Sequence, residues 1–169
     1  MPSNFLPTFK RSQIIAAHAA GNYDAVYEML VEPLHEELYK RQDFAFIDEL
    51  SEGQQLLIAY DYLRTQVGQG GFIQFIQNGY VSLLPNIIEQ LMMVGANEMA
   101  LVLDDVLKVY VLNRELLNRQ TTVEEFAKLY DEFKEFEIID ERWYKLNLPA
   151  EKLMLDYAAS HLYDFIKEE

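Results

Sequence analysis

Residues 51–80 read SEGQQLLIAYDYLRTQVGQGGFIQFIQNGY, and this stretch decides the fold class. It opens on Ser51-Glu52-Gly53-Gln54, a capping box in which hydroxyl and amide side chains satisfy the free backbone groups of a first helical turn. Leu56, Leu57, Tyr60 and Leu63 follow at helical spacing to about Val67. Gly70 and Gly71 then provide a joint, because glycine adopts backbone conformations closed to other residues. A second helical run offers Phe72, Phe75 and Ile76 to a core, and Asn78-Gly79 stops it in the manner of a helix C-cap. A glycine-rich loop at a helix start can also cradle phosphate, but no lysine follows this one. Gly70, Gly71, Phe72, Phe75, Asn78 and Gly79 are therefore read as structural residues.

The same punctuation continues outward. Upstream, an Ala-rich helix from Ser12 to Ala20 ends at Gly21-Asn22, and a helix beginning at Tyr23 is expected to break or kink at Pro33. Downstream, a helix from about Leu84 stops at Gly95, and Asn97 is a candidate cap for the next, which carries Met99, Leu103, Val106, Leu107 and Tyr110. Thr122-Val123-Glu124-Glu125 is a second capping box, ahead of the stripe Phe126, Leu129, Tyr130 and Phe133. A short segment from Ile138 to Leu146 holds the single tryptophan, Trp143, and Pro149 suits the first turn of a last helix. Alternating strand patterns are absent. The expectation is an all-α fold, one compact multi-helix domain with short connections, in which N-terminal helices of residues 1–50 pack on a core of residues 51–169.

Charge separates the chain into blocks. The whole carries 28 acidic and 14 basic side chains, a formal net of −14. Residues 1–23 sum to +2, residues 24–61 to −8, residues 62–123 to −1 and residues 124–169 to −7. A nearly neutral apolar middle thus lies between two acidic segments. Such a field repels nucleic acid and anionic membranes and attracts basic surfaces. No apolar stretch approaches the ~18–20 residues of a membrane helix, and with no recognisable targeting segment the expected compartment is the cytoplasm.

Catalytic chemistry finds little support. The chain has no cysteine, which removes thiolate nucleophiles, thiolate metal sites and disulfides together. His35-Glu36-Glu37-Leu38-Tyr39 begins like a zinc-protease helix but has tyrosine where the second histidine must stand. Phosphate-loop, dinucleotide and serine-hydrolase fingerprints are missing. We therefore expect no enzyme activity, no catalytic residue, no metal and no cofactor, and a chain that works by binding protein.

The run Gly-Gly-Phe-x-Gln-Phe-x-x-Asn-Gly at residues 70–79, followed by a hydrophobic helix, the Gly95-Ala96 pair, Ile139-Asp140 and Trp143-Tyr144, resembles a bacterial family whose best-understood member is an acidic DNA mimic. The chain departs from that pattern at Gly68-Gln69, where asparagines are usual. The resemblance implies a helical homodimer whose carboxylates imitate DNA phosphates and occupy a basic DNA-binding protein, a helix-turn-helix transcription factor, blocking its DNA binding. It implies no direct contact with nucleic acid. An immunity or antitoxin-like inhibitor of a basic toxin or nuclease is the alternative.

Charge position alone nominates the phosphate-mimicking candidates: Asp24, Glu28, Glu36, Glu37, Glu124, Glu125, Asp131, Glu132, Glu135, Asp140 and Glu141. Asp24, Glu28, Glu32 and Glu36 recur every four residues, about 6 Å per step along a helix, with Pro33 expected to divide the row. Asp131 and Glu135 repeat the spacing. Fourteen charges correspond to about 24 Å of duplex, short of the roughly 34–36 Å between the half-sites of a repressor, so mimicry calls for a dimer. Leu83, Leu84, Ile87, Ile88, Leu91, Met92 and Met93 are candidates for its core and its contact.

Overall fold

A computed structural model describes residues 3–169. The fold is all-α, with one addition that periodicity did not announce: a two-residue parallel bridge between β1 (Thr8–Phe9) and β2 (Lys167–Glu168). The helices are α1 (Arg11–Ala19), α2 (Tyr23–Arg41), α3 (Glu52–Gln77), α4 (Leu84–Met93), α5 (Asn97–Leu112), α6 (Arg114–Leu117), α7 (Val123–Glu132) and α8 (Glu135–Ser160). Among the described residues, no helix is long and apolar enough to cross a membrane.

The chain divides into two compact units, residues up to 61 together with 151–169, and residues 62–150. This differs from the expected grouping of 1–50 against 51–169. In the first unit the carboxy-terminal residues join the amino-terminal ones through polar contacts. Ser51 Oγ donates to the Asp164 carbonyl at 2.8 Å, and Gln54 Nε2 donates to the Phe5 carbonyl at 3.0 Å. The Lys167 amide donates to the Pro7 carbonyl at 3.0 Å. Ser51 and Gln54 also complete their capping box: the Ser51 amide donates to Gln54 Oε1 at 3.0 Å, and the Gln54 amide donates to Ser51 Oγ at 3.2 Å. Both residues are buried, so the start of α3 is held by a closed polar cluster.

Two prolines do not do what local propensity expects. Pro33 lies inside α2, and Pro149 lies inside α8 rather than at the start of a last helix. A proline in a helix interior costs roughly 3 kcal/mol. Against this, α2 buries Val26, Leu30, Val31, Leu34 and Leu38, each contributing about 1.5–3 kcal/mol. Burial wins, and the helix runs through. Asn97 is likewise not a cap: Ala96 occupies that position, with no side-chain hydrogen bond.

In the second unit the glycine joint is real. Gly70 and Gly71 depart from helical geometry inside α3, with Gly71 at φ 73° and ψ −174°. A Cβ on Gly71 would stand 1.9 Å from the Tyr130 hydroxyl and 2.3 Å from Asp140 Oδ2. Those two groups fill the space a phosphate would need. The Tyr130 hydroxyl donates to the Gly70 carbonyl at 2.8 Å and lies 3.0 Å from Asp140 Oδ2, while the Phe72 amide donates to Asp140 Oδ1 at 3.0 Å. Phe72, Phe75 and Ile76 are buried behind the joint. Gly79, at φ 85°, ends the run: its amide reaches the Ile76 carbonyl and the Tyr80 amide reaches Phe75, a Schellman closure. Leu84, Ile87 and Leu91 enter the core, whereas Met92 and Met93 are exposed.

Candidate anionic interface

Counted by unit, the first carries 15 acids and six bases, a net of −9, and the second 13 acids and eight bases, a net of −5. The first unit is therefore the more anionic, and α2 presents much of that charge. Asn22 caps the helix, its Oδ1 accepting the Ala25 amide at 3.2 Å. Asp24 in the first turn favours the positive end of the helix dipole. Because α2 is continuous through Pro33, Asp24, Glu28, Glu32 and Glu36 form one row about 18 Å long. The expected break at Pro33 would separate Glu36 from the other three; the unbroken helix keeps all four in line and adds Glu32 to the candidates. All four are exposed, and none takes part in an ion pair among the described residues. Each like-charge pair at this spacing opposes the helix by about 0.2–0.5 kcal/mol.

The other candidates separate into groups. Glu37 is neutralised: Arg41 Nε donates to it at 2.8 Å and Arg41 NH1 to Glu49 at 2.9 Å, with the guanidinium 4.6 Å over the Phe46 ring. Glu124, Glu125, Asp131, Glu132, Glu135 and Glu141 are exposed. Glu125 is engaged in the second capping box, accepting the Thr122 amide at 3.0 Å. Asp131 and Glu135 do not share a row, because α7 ends at Glu132 and α8 begins at Glu135. Spacing alone could not reveal that intervening break.

Asp140 is a correction. Its carboxyl group is half-buried against Tyr130 and the Phe72 amide, and it pins the glycine joint instead of facing solvent. Burial pushes it above the ordinary carboxylate range, only partly offset by the Phe72 amide and the Tyr130 hydroxyl. The same enclosure, aided by the neighbouring carboxylate, raises the Tyr130 phenol strongly.

Acids outside the candidate set are also engaged. Asp61 accepts the Tyr27 hydroxyl at 2.8 Å and lies 2.7 Å from His35 Nε2. Asp156 lies 2.7 Å from His18 Nε2 and accepts the Tyr23 hydroxyl at 2.9 Å. Burial pushes Asp156 up, but the His18 and Tyr23 hydrogen bonds outweigh it and hold the group below the ordinary range. Asp105 is clamped by Arg142 at 2.6 Å, and Asp104 by Lys108 at 2.9 Å. Of these pairings only Asp104–Lys108, four residues apart on α5, has a local sequence signal.

The glycine joint, its Tyr130–Asp140 pin and the helices around them lie in a segment that matches a family as a whole: residues 48–161, well over half of the chain, fit the DMP19-like protein family. The chain belongs to the DMP19-like family. No curated protein matches it closely enough to add a relative. The DMP19-like segment includes α3 to α8 and leaves α1 and α2 outside, so the carboxylate row of α2 is an observation independent of the family match. Within that segment a cavity of about 640 Å³ is lined by Gln74, Gln77, Asn78, Gln120 and Thr121, groups suited to hydrogen bonding, together with the apolar Val123 and Phe126.

Proposed function

We propose that this chain is an acidic DNA mimic that occupies the DNA-binding surface of a basic protein, a helix-turn-helix transcription factor, and keeps it from its operator. Membership of the DMP19-like family supports the mimic role. The observation that carries it to this chain's own residues is the row Asp24, Glu28, Glu32 and Glu36, exposed along α2 without internal counter-ions among the described residues. A basic, DNA-binding protein surface is the partner such a row attracts, and repulsion excludes the duplex itself.

The test is capture followed by competition. Immobilised chain is exposed to lysate at about 50 mM salt, washed, and challenged with duplex oligonucleotide or with about 200 mM salt. The expected eluate in both cases is a DNA-binding protein. Replacing the row together (Asp24→Asn, Glu28→Gln, Glu32→Gln, Glu36→Gln) lowers capture at least tenfold. A complex indifferent to salt and to duplex, or full capture by the four-fold variant, refutes the proposal.

A further inference from the structure

The first unit holds a second feature of anionic character, and it is concave. A cavity of about 410 Å³ is lined by Tyr157 and Tyr163, by the carboxylate-bearing Glu52 and Asp164, and by Ser51 and Gly53. Tyr163 is 69% exposed and forms an open wall. Tyr157 is half-buried and fixed by stacking on His161, ring centroids 4.0 Å apart. Neither Glu52 nor Asp164 takes part in an ion pair among the described residues, and no lysine or arginine is among the lining groups. The Tyr157 phenol is raised by burial and, after it, by Asp164, Tyr163 and Glu52, which places it within the field of both carboxylates.

The same unit shows what such a lining holds. Around Arg41, two carboxylates (Glu37 and Glu49) and an aromatic face (Phe46) enclose a guanidinium that donates to both acids while stacking on the ring. The cavity repeats that composition, two carboxylates and aromatic faces, without a cation of the chain's own. An anion is disfavoured there. Although the start of α3 carries the positive end of a helix dipole, the Gln54 amide is already taken by Ser51 Oγ, and two carboxylates stand against it.

We infer that this cavity receives an arginine side chain of the basic partner, its guanidinium against the exposed Tyr163 ring and between the Glu52 and Asp164 carboxylates, while His161 covers Tyr157. Arginine is preferred to lysine because a planar guanidinium stacks on tyrosine and pairs with carboxylate oxygens in a fork, whereas an ammonium acts as a point charge. The inference rests on the reading of the chain as a ligand of basic proteins, and supplies that reading with an anchor for one defined side chain.

The test titrates the full chain with N-acetyl-arginine amide, followed by NMR and calorimetry, with N-acetyl-citrulline amide as the uncharged isostere. Saturable shifts at Tyr157 and Tyr163 are expected with arginine, weaker ones with the lysine amide, and none with citrulline. Tyr163→Ala, a change at an exposed ring, and Glu52→Gln each weaken arginine binding about fivefold, while Glu89→Gln, an exposed carboxylate on α4 outside both the row and the cavity, leaves it unchanged. Equal binding of citrulline, wild-type affinity in both cavity variants, or an equal loss in Glu89→Gln overturns the inference. A DNA-competable partner held equally by wild type and Tyr163→Ala overturns the cavity and leaves mimicry standing. Arginine binding at the cavity without any DNA-competable partner supports the cavity and refutes the mimic.

Discussion

Replacing Gly71 by alanine tests the joint on which the second unit is built. Gly71 sits at φ 73° and ψ −174°, a conformation that only glycine holds without strain, and forcing another residue into it costs about 1–3 kcal/mol. The new methyl would also stand 1.9 Å from the Tyr130 hydroxyl and 2.3 Å from Asp140 Oδ2, so both side chains must withdraw. Withdrawal breaks the Phe72–Asp140, Tyr130–Asp140 and Tyr130–Gly70 contacts, at about 1 kcal/mol each. The sum is on the order of 4–6 kcal/mol, much of the roughly 5–15 kcal/mol that holds a typical domain folded. Urea unfolding followed by the fluorescence of Trp143, which is buried and lies in this unit, reads the loss directly. Gly68→Ala is the internal control: no atom lies within 4 Å of its added methyl, and helix propensity favours alanine by about 0.5–1 kcal/mol. Gly70→Ala falls between them, since its methyl meets the movable Gln74 side chain. A Gly71→Ala protein within about 1 kcal/mol of wild type would refute the account of the joint.

Three further outcomes follow from the same geometry. Asp140 is raised in the folded chain, so its contribution to stability is fully present below the unfolded carboxylate pKa and is lost as pH rises through the elevated value; Asp140→Asn should flatten the fall in stability on that alkaline side, and an unchanged pH profile would count against the buried pin. Asp156 has the opposite sign, being lowered: its contribution is present above the unfolded pKa and is lost as pH falls through the depressed one, so His18→Gln should lessen acid sensitivity in urea melts between roughly pH 5 and pH 2. Pro33→Ala restores a backbone donor inside α2 and should stabilise by about 1–2 kcal/mol after allowance for the freer unfolded chain, with circular dichroism melts that show no gain as the refuting result.

Where a side chain acts on its own few neighbours in sequence, the reading was sufficient. Ser51–Gln54 and Thr122–Glu125 close as capping boxes, Gly70-Gly71 breaks α3, and Gly79 and Gly95 stop helices at positive φ. Where burial competes with propensity it was not: Pro33 and Pro149 are carried through helices by apolar faces whose partners lie elsewhere in the chain. The candidate site divides along the same line. Charge density marked Asp24, Glu28 and Glu36, which are exposed, because solvation of a helix face is local. It could not exclude Asp140, since Tyr130 and the Phe72 amide meet it only in the fold; for Glu37 the i,i+4 partner Arg41 is visible in the sequence, and only its sharing with Glu49 is not. The Tyr157–Tyr163 cavity was equally hidden, because Glu52 and Asp164 are more than a hundred residues apart and no motif links them.

The density of the α2 row limits what it can imitate alone. A duplex carries one charge per roughly 1.7 Å of axis, so the ~18 Å spanned from Asp24 to Glu36 corresponds to about ten phosphates, or five on one strand. Four carboxylates fall just short of a single strand and far short of both. A row of this density attracts a basic surface and sets its approach, but phosphate contacts position a DNA-binding protein without selecting one from another. Selectivity therefore needs a contact with defined shape, and a cavity walled by two tyrosines and two carboxylates in the same unit, large enough to admit an arginine side chain, has the charge to provide it. On this division of labour, neutralising the row slows association and makes it less sensitive to salt, whereas removing Tyr163 shortens the lifetime of the complex. Association and dissociation rates measured separately for the two variants decide the point: equal effects of both variants on both rates would refute the division, and no effect of removing Tyr163 would leave diffuse charge as the whole of the attraction.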